Sequence, residues 1–421
     1  MTVGRKKKLW NTPWNYPESF LVVFALLIAG YALQISFGNI NFHLYRWPVN
    51  GFLGGLLLFI ILALGILFQK NHIVRWFSGV HFAVSLMSAL LVHTIIMGLT
   101  PQISSLSVHV SLVSNLGLNQ MTSSWPFVLL YVTLLLSLGT LSVRRMIPFQ
   151  LNQYAFYLNH WGLWLVLFTT GLGAADLKRY VMYVQVKDEN PEWRVYNEKE
   201  EMLELPIALY LDEFILEQYD PKLTIIDKQT GEILPRKLPE FIQLDRPSAS
   251  VNILEWQVDV LKYLPQAVPA LDGTYQELPM PGSAPAARVK ITQIATGKTD
   301  SAWISCGSFA QLYSKYDLDS RHSLAMTLPE PKRFASKVIL YSKYEEKTDT
   351  ALIEVNKPLS HHGWMIYQYS YDENAGKASA YSSFELVYDP WKNFVYLSFI
   401  LVALGSIALF QQRKTRKENV K

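Results

Sequence analysis

Three histidines stand inside long apolar runs of this 421-residue chain: His81 and His93 in one run, His160 near the start of another. A neutral imidazole in an apolar setting can ligate a metal, the iron of a haem included, or hydrogen-bond a neighbouring helix. Ionisable groups are costly inside a bilayer, so each of the three is a candidate functional residue. Haems stacked along a helix need their histidines on one face. His81 and His93 are twelve residues apart, which at about 100° per residue leaves them about 120° apart around the axis. That spacing argues against a stacked pair and leaves single ligation open. His43 and His109 fall in one set of loops and His72 in the other.

Other reactive residue types offer less. Cys306 is the single cysteine, so no internal disulfide and no cysteine-based metal site can form, and no C-x-x-C-H motif is present. Between Ser305 and Gly307 it reads as a small buried residue, with a reactive thiol as the other reading. No nucleophile elbow, phosphate-cradling glycine loop, H-E-x-x-H or dinucleotide fingerprint occurs. The net charge of +4 comes without a dense basic stripe, so no nucleic-acid partner is expected.

The elements that must position these residues are apolar stretches at 20–37, 52–68, 77–99, 125–143, 155–175 and 394–410. At about 1.5 Å of rise per residue each can cross a hydrocarbon core about 30 Å thick, and a helix is the way to satisfy its backbone there. Basic residues alternate with the crossings. Arg5, Lys6, Lys7 and Lys8 precede the first, Lys70 and Arg75 follow the second, Arg144 and Arg145 follow the fourth, and Arg413, Lys414, Arg416, Lys417 and Lys421 follow the last. The opposite loops hold only Arg46 before residue 125. Positive-inside logic puts both termini in the cytoplasm and residues 176–392 outside the cytoplasmic (inner) membrane, as a periplasmic or extracytoplasmic domain. Trp10, Trp14, Trp47, Trp76, Trp125 and Trp391 flank the crossings as headgroup-level anchors against the lipid bilayer. The first stretch is too long for a signal-peptide core and is expected to remain as an anchor.

The expected fold is therefore a multi-pass α-helical membrane protein of six spans, with a large mainly-β extracytoplasmic domain inserted before the last. Its parts are a basic N-terminus at 1–19, a five-helix bundle at 20–175, the β-rich domain at 176–392, the final span at 393–412 and a basic tail at 413–421. Short runs rich in β-branched and aromatic residues predict strands at 180–186, 207–211, 223–227, 250–260, 288–294, 338–341, 351–355, 364–371 and 382–388. The Pro- and Gly-rich run 265–285 reads as turns. Along 364–371, Tyr367, Tyr369 and Tyr371 fall on one face, and Trp364, Ile366, Gln368 and Ser370 on the other. Pro390 ends the last strand, Trp391 anchors at the interface, and Asp389 can cap the helix that follows. Such a junction pins the domain to the membrane, or offers an aromatic surface to haem or a partner.

The C-terminal quarter resembles a known family. GWMIYQYSYDENAG (363–376), with Gly363, Trp364, Tyr367 and Gln368, and ELVYDPWKNFVYLSFILVALG (385–405), with Asp389, Pro390 and Trp391, are similar to the end of the ResB (CcsB-type) cytochrome c biogenesis proteins. In that family a Gly-Trp-x-x-Tyr-Gln segment and an Asp-Pro motif lead into the final span. Further similar segments are VNKPL (355–359), MTLPEPKRFASKV (326–338), WISCGSF (303–309) and LPIALYLDEFILEQYDPK (205–222). LNHWGLW (158–164) resembles the His-x-Gly element that opens the span before the family's outer domain.

The resemblance implies cytochrome c maturation. The chain would be a subunit of a haem export and holocytochrome c synthase (haem lyase) complex, not catalytic alone, carrying haem b as transient cargo and presenting haem or apocytochrome c with a CcsA-type membrane partner. That partner bears a tryptophan-rich outer motif that this chain lacks, so it would be a separate polypeptide. The family's haem-associated histidine matches His160, near the cytoplasmic end of its span. The usual family member has three spans before its domain, and the extra pair here leaves His81 and His93 as second-rank haem candidates. A different reading is a membrane-anchored assembly or sensor protein whose outer domain binds a partner without handling haem. A haem-b quinone oxidoreductase subunit is disfavoured by the histidine spacing.

Overall fold

The computed structural model describes residues 9–102, 112–244, 250–345 and 348–418. Arg5, Lys6, Lys7, Lys8, His109 and Lys421 lie outside the described residues, as do the side chains after Gln412. The chain divides into two compact units, Met1–Lys178 with Tyr388–Lys421, and Arg179–Val387.

The first unit is helical: α1 Tyr16–Phe37, α2 Val49–Ile66, α3 His72–Phe77, α4 Val80–Leu99, α5 Leu112–Asn115, α6 Trp125–Arg145, α7 Tyr154–Asp176 and α8 Lys392–Glu418. Five helical stretches among the described residues are long and apolar enough to cross a membrane: α1, α2, α4, the stretch ending in α6, and the Lys392–Gln412 part of α8. The fifth of the six expected crossings, α7, is helical over 23 residues but falls short of that apolarity. Asn159, His160, Trp161 and Trp164, with two tyrosines in its first turn, dilute it. Phe37, Phe52, Leu67 and Phe410 are each more than 70% exposed. Side chains this apolar would be unfavourable in water, so these helix faces call for lipid or a protein neighbour.

α6 is central to this unit. One side of it packs Leu130 with Val23 of α1 and Phe82 and Leu86 of α4. The other packs Leu135 and Val143 with Ile61 of α2 and Trp164 of α7. Gly139 makes that second contact possible, because a Cβ there would lie 2.6 Å from Ile61 and 2.8 Å from the Trp164 indole nitrogen. α7 and α8 approach even more closely. A Cβ at Gly162 would stand 2.8 Å from the backbone nitrogen of Val402, and one at Gly405 would stand 2.5 Å from that of Asn159. Small residues at such a seam let two backbones pack directly, which is how apolar helices associate when lipid removes the hydrophobic drive. Asn159 then donates to the Ser406 hydroxyl across the seam at 3.2 Å.

Among the described residues the second unit holds three sheets. The largest runs, edge to edge, through Asp349–Glu354, Pro331–Ser342, Met202–Gln218, Glu192–Tyr196, Lys178–Gln185, Tyr381–Tyr388, Trp364–Tyr371 and Leu359–His361. Two five-stranded sheets share a core of Leu223, Ile225, Trp256, Val258, Val289, Ile304, Leu324 and Met326. The predicted strand at 250–260 is instead a hairpin, Val251–Ile253 and Trp256–Pro269, whose turn places Leu254 at φ +54°. The segment 265–285, expected as turns, supplies the end of that strand, the paired Tyr275–Glu277 and the start of Ala284–Gln293.

Cys306 joins the same core, 4% exposed, and burial pushes its thiol up to about 11. A protonated, enclosed thiol is a poor nucleophile. Iodoacetamide at pH 8 is therefore expected to leave Cys306 unmodified in the folded protein and to alkylate it fully after denaturation. Mass spectrometry reads the difference, and modification of the native chain would contradict this packing.

Candidate functional site

The three span histidines have different surroundings. His93 is buried, with Nδ1 2.8 Å from the Ala89 carbonyl and Nε2 3.2 Å from the Tyr31 hydroxyl. A carbonyl only accepts, so Nδ1 carries the proton and Nε2 accepts from Tyr31. Both ring nitrogens are thus occupied. His81 is half-buried and meets the ring of Tyr16 edge-on at 4.6 Å. Tyr16 and Tyr31 both belong to α1, so the two imidazoles contact one neighbouring helix despite their offset around α4.

His160 lies in the second turn of α7, half-buried and stacked on Phe156 with ring centroids 3.8 Å apart. Its Nδ1 donates to the Phe156 carbonyl at 3.1 Å. That bond fixes the tautomer with its lone pair on Nε2, which has no hydrogen-bond partner among the described residues. The Arg145 guanidinium covers the Phe156 ring at 5.6 Å. An oriented, unprotonated nitrogen beside a cation is an arrangement that can ligate iron and attract a carboxylate.

A second constellation, missed by the sequence reading, closes the far end of α7. Asp176 is 8% exposed; Oδ1 accepts from the backbone N–H of Trp47 at 2.8 Å. Oδ2 accepts from Asn50 at 2.7 Å and from the indole of Trp391 at 2.7 Å. Arg46 donates to the Ala175 carbonyl at 3.3 Å, and Asn50 to that of Leu172 at 3.2 Å, so the last carbonyls of α7 are also satisfied. Trp47, expected as an anchor, and Trp391, expected as an anchor and as a junction residue, supply two of the three donors. The available signal was a lone carboxylate ending an apolar run; its partners gave none.

The C-terminal motif is divided between the two units. Asp389, Pro390 and Trp391 belong to the helical one, where the Asp389 carboxylate accepts from the Trp391 backbone at 2.9 Å just before α8. Gly363, Trp364, Tyr367 and Gln368 belong to the β unit. His361 pairs with Trp364 across a two-residue turn in which His362 and Gly363 both have positive φ, +44° and +82°. This is the backbone a tight hairpin asks for, and glycine adopts it freely. Trp364, Ile366 and Gln368 face the interior as the alternation predicts, Gln368 donating to Ser382 at 2.6 Å. Tyr367 is half-buried and Tyr369 exposed, whereas Tyr371 is buried between Phe214 and Phe334.

Comparison with known families bears on the β unit. Residues 304–381 match the ResB-like family. The chain is ResB-like over that segment, which holds Cys306, the 326–338 and 355–359 segments and the Gly363–Gln368 hairpin strand. No curated protein matches the chain. The family match ties the chain to cytochrome c biogenesis in general terms.

Removing the Asp176 carboxylate strands three donors, each costing on the order of 1–3 kcal/mol if it stays dry. Asp176→Ala is expected to destabilise the protein by about 2–4 kcal/mol, and Trp391→Phe, which removes one donor and leaves the carboxylate its other two, by about 1 kcal/mol. Thermal unfolding in detergent micelles measures both; equal melting temperatures for Asp176→Ala and the parent would refute the cluster's role.

Proposed function

We propose that this chain is the ResB-type subunit of a haem export and cytochrome c haem-attachment complex, working with a CcsA-type membrane partner. The family match over residues 304–381 supports the pathway. The observation that carries the haem step is the free, oriented Nε2 of His160, the one span histidine combining a fixed tautomer with an open lone pair.

In this reading α7 is the fifth of six crossings, both termini are cytoplasmic and Arg179–Val387 lies on the outer side. Haem b is cargo. It enters near the start of α7, where His160 offers Nε2 to the iron while the Phe156 carbonyl holds the ring by its other nitrogen. Arg145 supplies positive charge for a propionate from the position it takes over Phe156. A neutral imidazole suits transfer because it binds iron without contributing a charge of its own, so release leaves no unpaired anion in the bilayer. The CcsA-type partner takes the haem onward, and the outer unit holds apocytochrome c or shapes the attachment site. His93, with both nitrogens engaged, serves packing between α1 and α4.

His160→Ala is expected to lower the haem that co-purifies with the complex several-fold, and exogenous imidazole to restore it, both read from the Soret band and by pyridine haemochrome assay. His93→Ala should keep its haem and lose thermal stability. Haem content unchanged in His160→Ala would remove this role and favour an assembly or sensor protein that does not handle haem.

A further inference from the structure

The solvent face of the eight-stranded sheet carries a cleft of about 690 Å³. Strand alternation builds it. On Lys178–Gln185, Met182 and Val184 enter the core while Tyr183 and Gln185 point out; on Glu192–Tyr196, Val195 enters the core and Tyr196 points out. Tyr381 comes from the strand on the other side of Lys178–Gln185. The ring of Tyr183 meets Tyr196 at 6.0 Å and Tyr381 at 6.1 Å, both edge to face. Three neutral aromatic rings therefore wall one side of the cleft.

Its remaining walls are mainly acidic. Arg194 is neutralised by a two-pronged pairing with Glu192, at 2.7 and 2.6 Å. Asp188 and Glu200 line the same cleft, both exposed, and neither has an ion-pair partner among the described residues. Three carboxylates against one guanidinium leave the ionisable lining at net −2. Aromatic faces attract cations through their quadrupole, and unneutralised carboxylates beside them select the same sign. Anionic ligands are repelled. The volume suits long side chains rather than a bare ion. The two principal strands are paired on both sides within the sheet, so no free strand edge is available and recognition must run through side chains.

We propose that this cleft binds lysine or arginine side chains of an extended cationic peptide segment, with the tyrosine trio receiving the charged head and Asp188 and Glu200 pairing with it. The site is independent of haem handling and makes no use of His160.

The test uses the full chain in uncharged maltoside micelles and two capped, fluorescently labelled peptides, Lys-Gly-Lys-Gly-Lys and Glu-Gly-Glu-Gly-Glu. The lysine peptide is expected to bind saturably at one site, more weakly as salt rises, and the glutamate peptide not to bind. Asp188→Asn combined with Glu200→Gln, both exposed and in no ion pair among the described residues, should weaken binding about fivefold or more. Tyr183→Ala should weaken it about threefold, whereas Tyr183→Phe, which keeps the ring, should retain it. Unaltered melting temperatures separate these effects from misfolding. Equal binding of the two peptides, no saturable binding at millimolar lysine peptide, or full affinity in the double-carboxylate variant would overturn the proposal.

Discussion

A carboxylate at the C-terminal end of a helix faces the negative end of the helix dipole, and the fold of the helical unit depends on how Asp176 survives there. Glu18 shows the favourable case: it sits in the first turn of α1, where the dipole is positive, and accepts from the backbone of Asn15 at 2.8 Å. Asp176 has the opposite polarity and compensates through three donors drawn from the loop before α2, from α2 itself and from the residue before α8. The bond to Trp391 spans 215 residues of sequence. It brings together the two points at which the chain leaves the helical unit and returns to it. Closing a loop of that length has an entropic cost that grows only slowly with length, so a few well-made hydrogen bonds, together with the α7–α8 seam, suffice to hold the ends.

Many polar side chains elsewhere in the helical unit are satisfied locally, while Trp125 Nε1, Thr140 Oγ1 and Arg144 Nε are buried without a hydrogen-bond partner among the described residues. Ser85, Thr94 and Ser398 each return their hydroxyl to a carbonyl four residues earlier. The Tyr31 hydroxyl and the Ala89 carbonyl consume both nitrogens of His93. His160 keeps its Nε2 open beside a fixed Nδ1, and it lies on α7, which falls short of the apolarity of the five spanning stretches, beside two glycine-mediated contacts with α8. Those contacts matter to the histidine. They fix α7 by direct backbone packing, so the imidazole is held by rigid surroundings rather than by a second hydrogen bond of its own.

Much of the architecture was legible because its signals are periodic and local. The apolar runs became helices, and alternation placed the interior face of Trp364–Tyr371 correctly from Trp364 to Gln368. The departures have physical causes. Met202–Gln218 is a 17-residue strand, yet only its middle was visible, because Asp212 and Glu213 interrupt the apolar run; Asp212 is tolerated by pairing with Lys337 on the neighbouring strand at 2.8 Å. The hairpin at Ile253–Trp256 turns without glycine, asparagine or proline, so no turn residue announced it. The helicity of α7 was legible, but its weaker apolarity sits with His160, the residue proposed for function, and with the Asn159, Trp161 and Trp164 around it. The Asp176 cluster announced itself only by a lone carboxylate ending an apolar run, and the tyrosine cleft not at all, since the partners in each are brought together only in three dimensions.

The perturbed groups of the β unit indicate what kind of work it does. Glu354 is drawn down to about 2 by its hydrogen bond from Arg333, with Lys357 adding to the pull. Tyr316 is raised to about 12 by donating to Asp300, and Cys306 by burial. Each shift follows from a structural pairing or from enclosure. None of these groups stands as a nucleophile beside a base that a third residue orients, which is the geometry bond-making catalysis requires. In the function proposed above, such a unit serves by holding and aligning what other components bring, and the acidic, aromatic face of the large sheet is the part of it left open for that task.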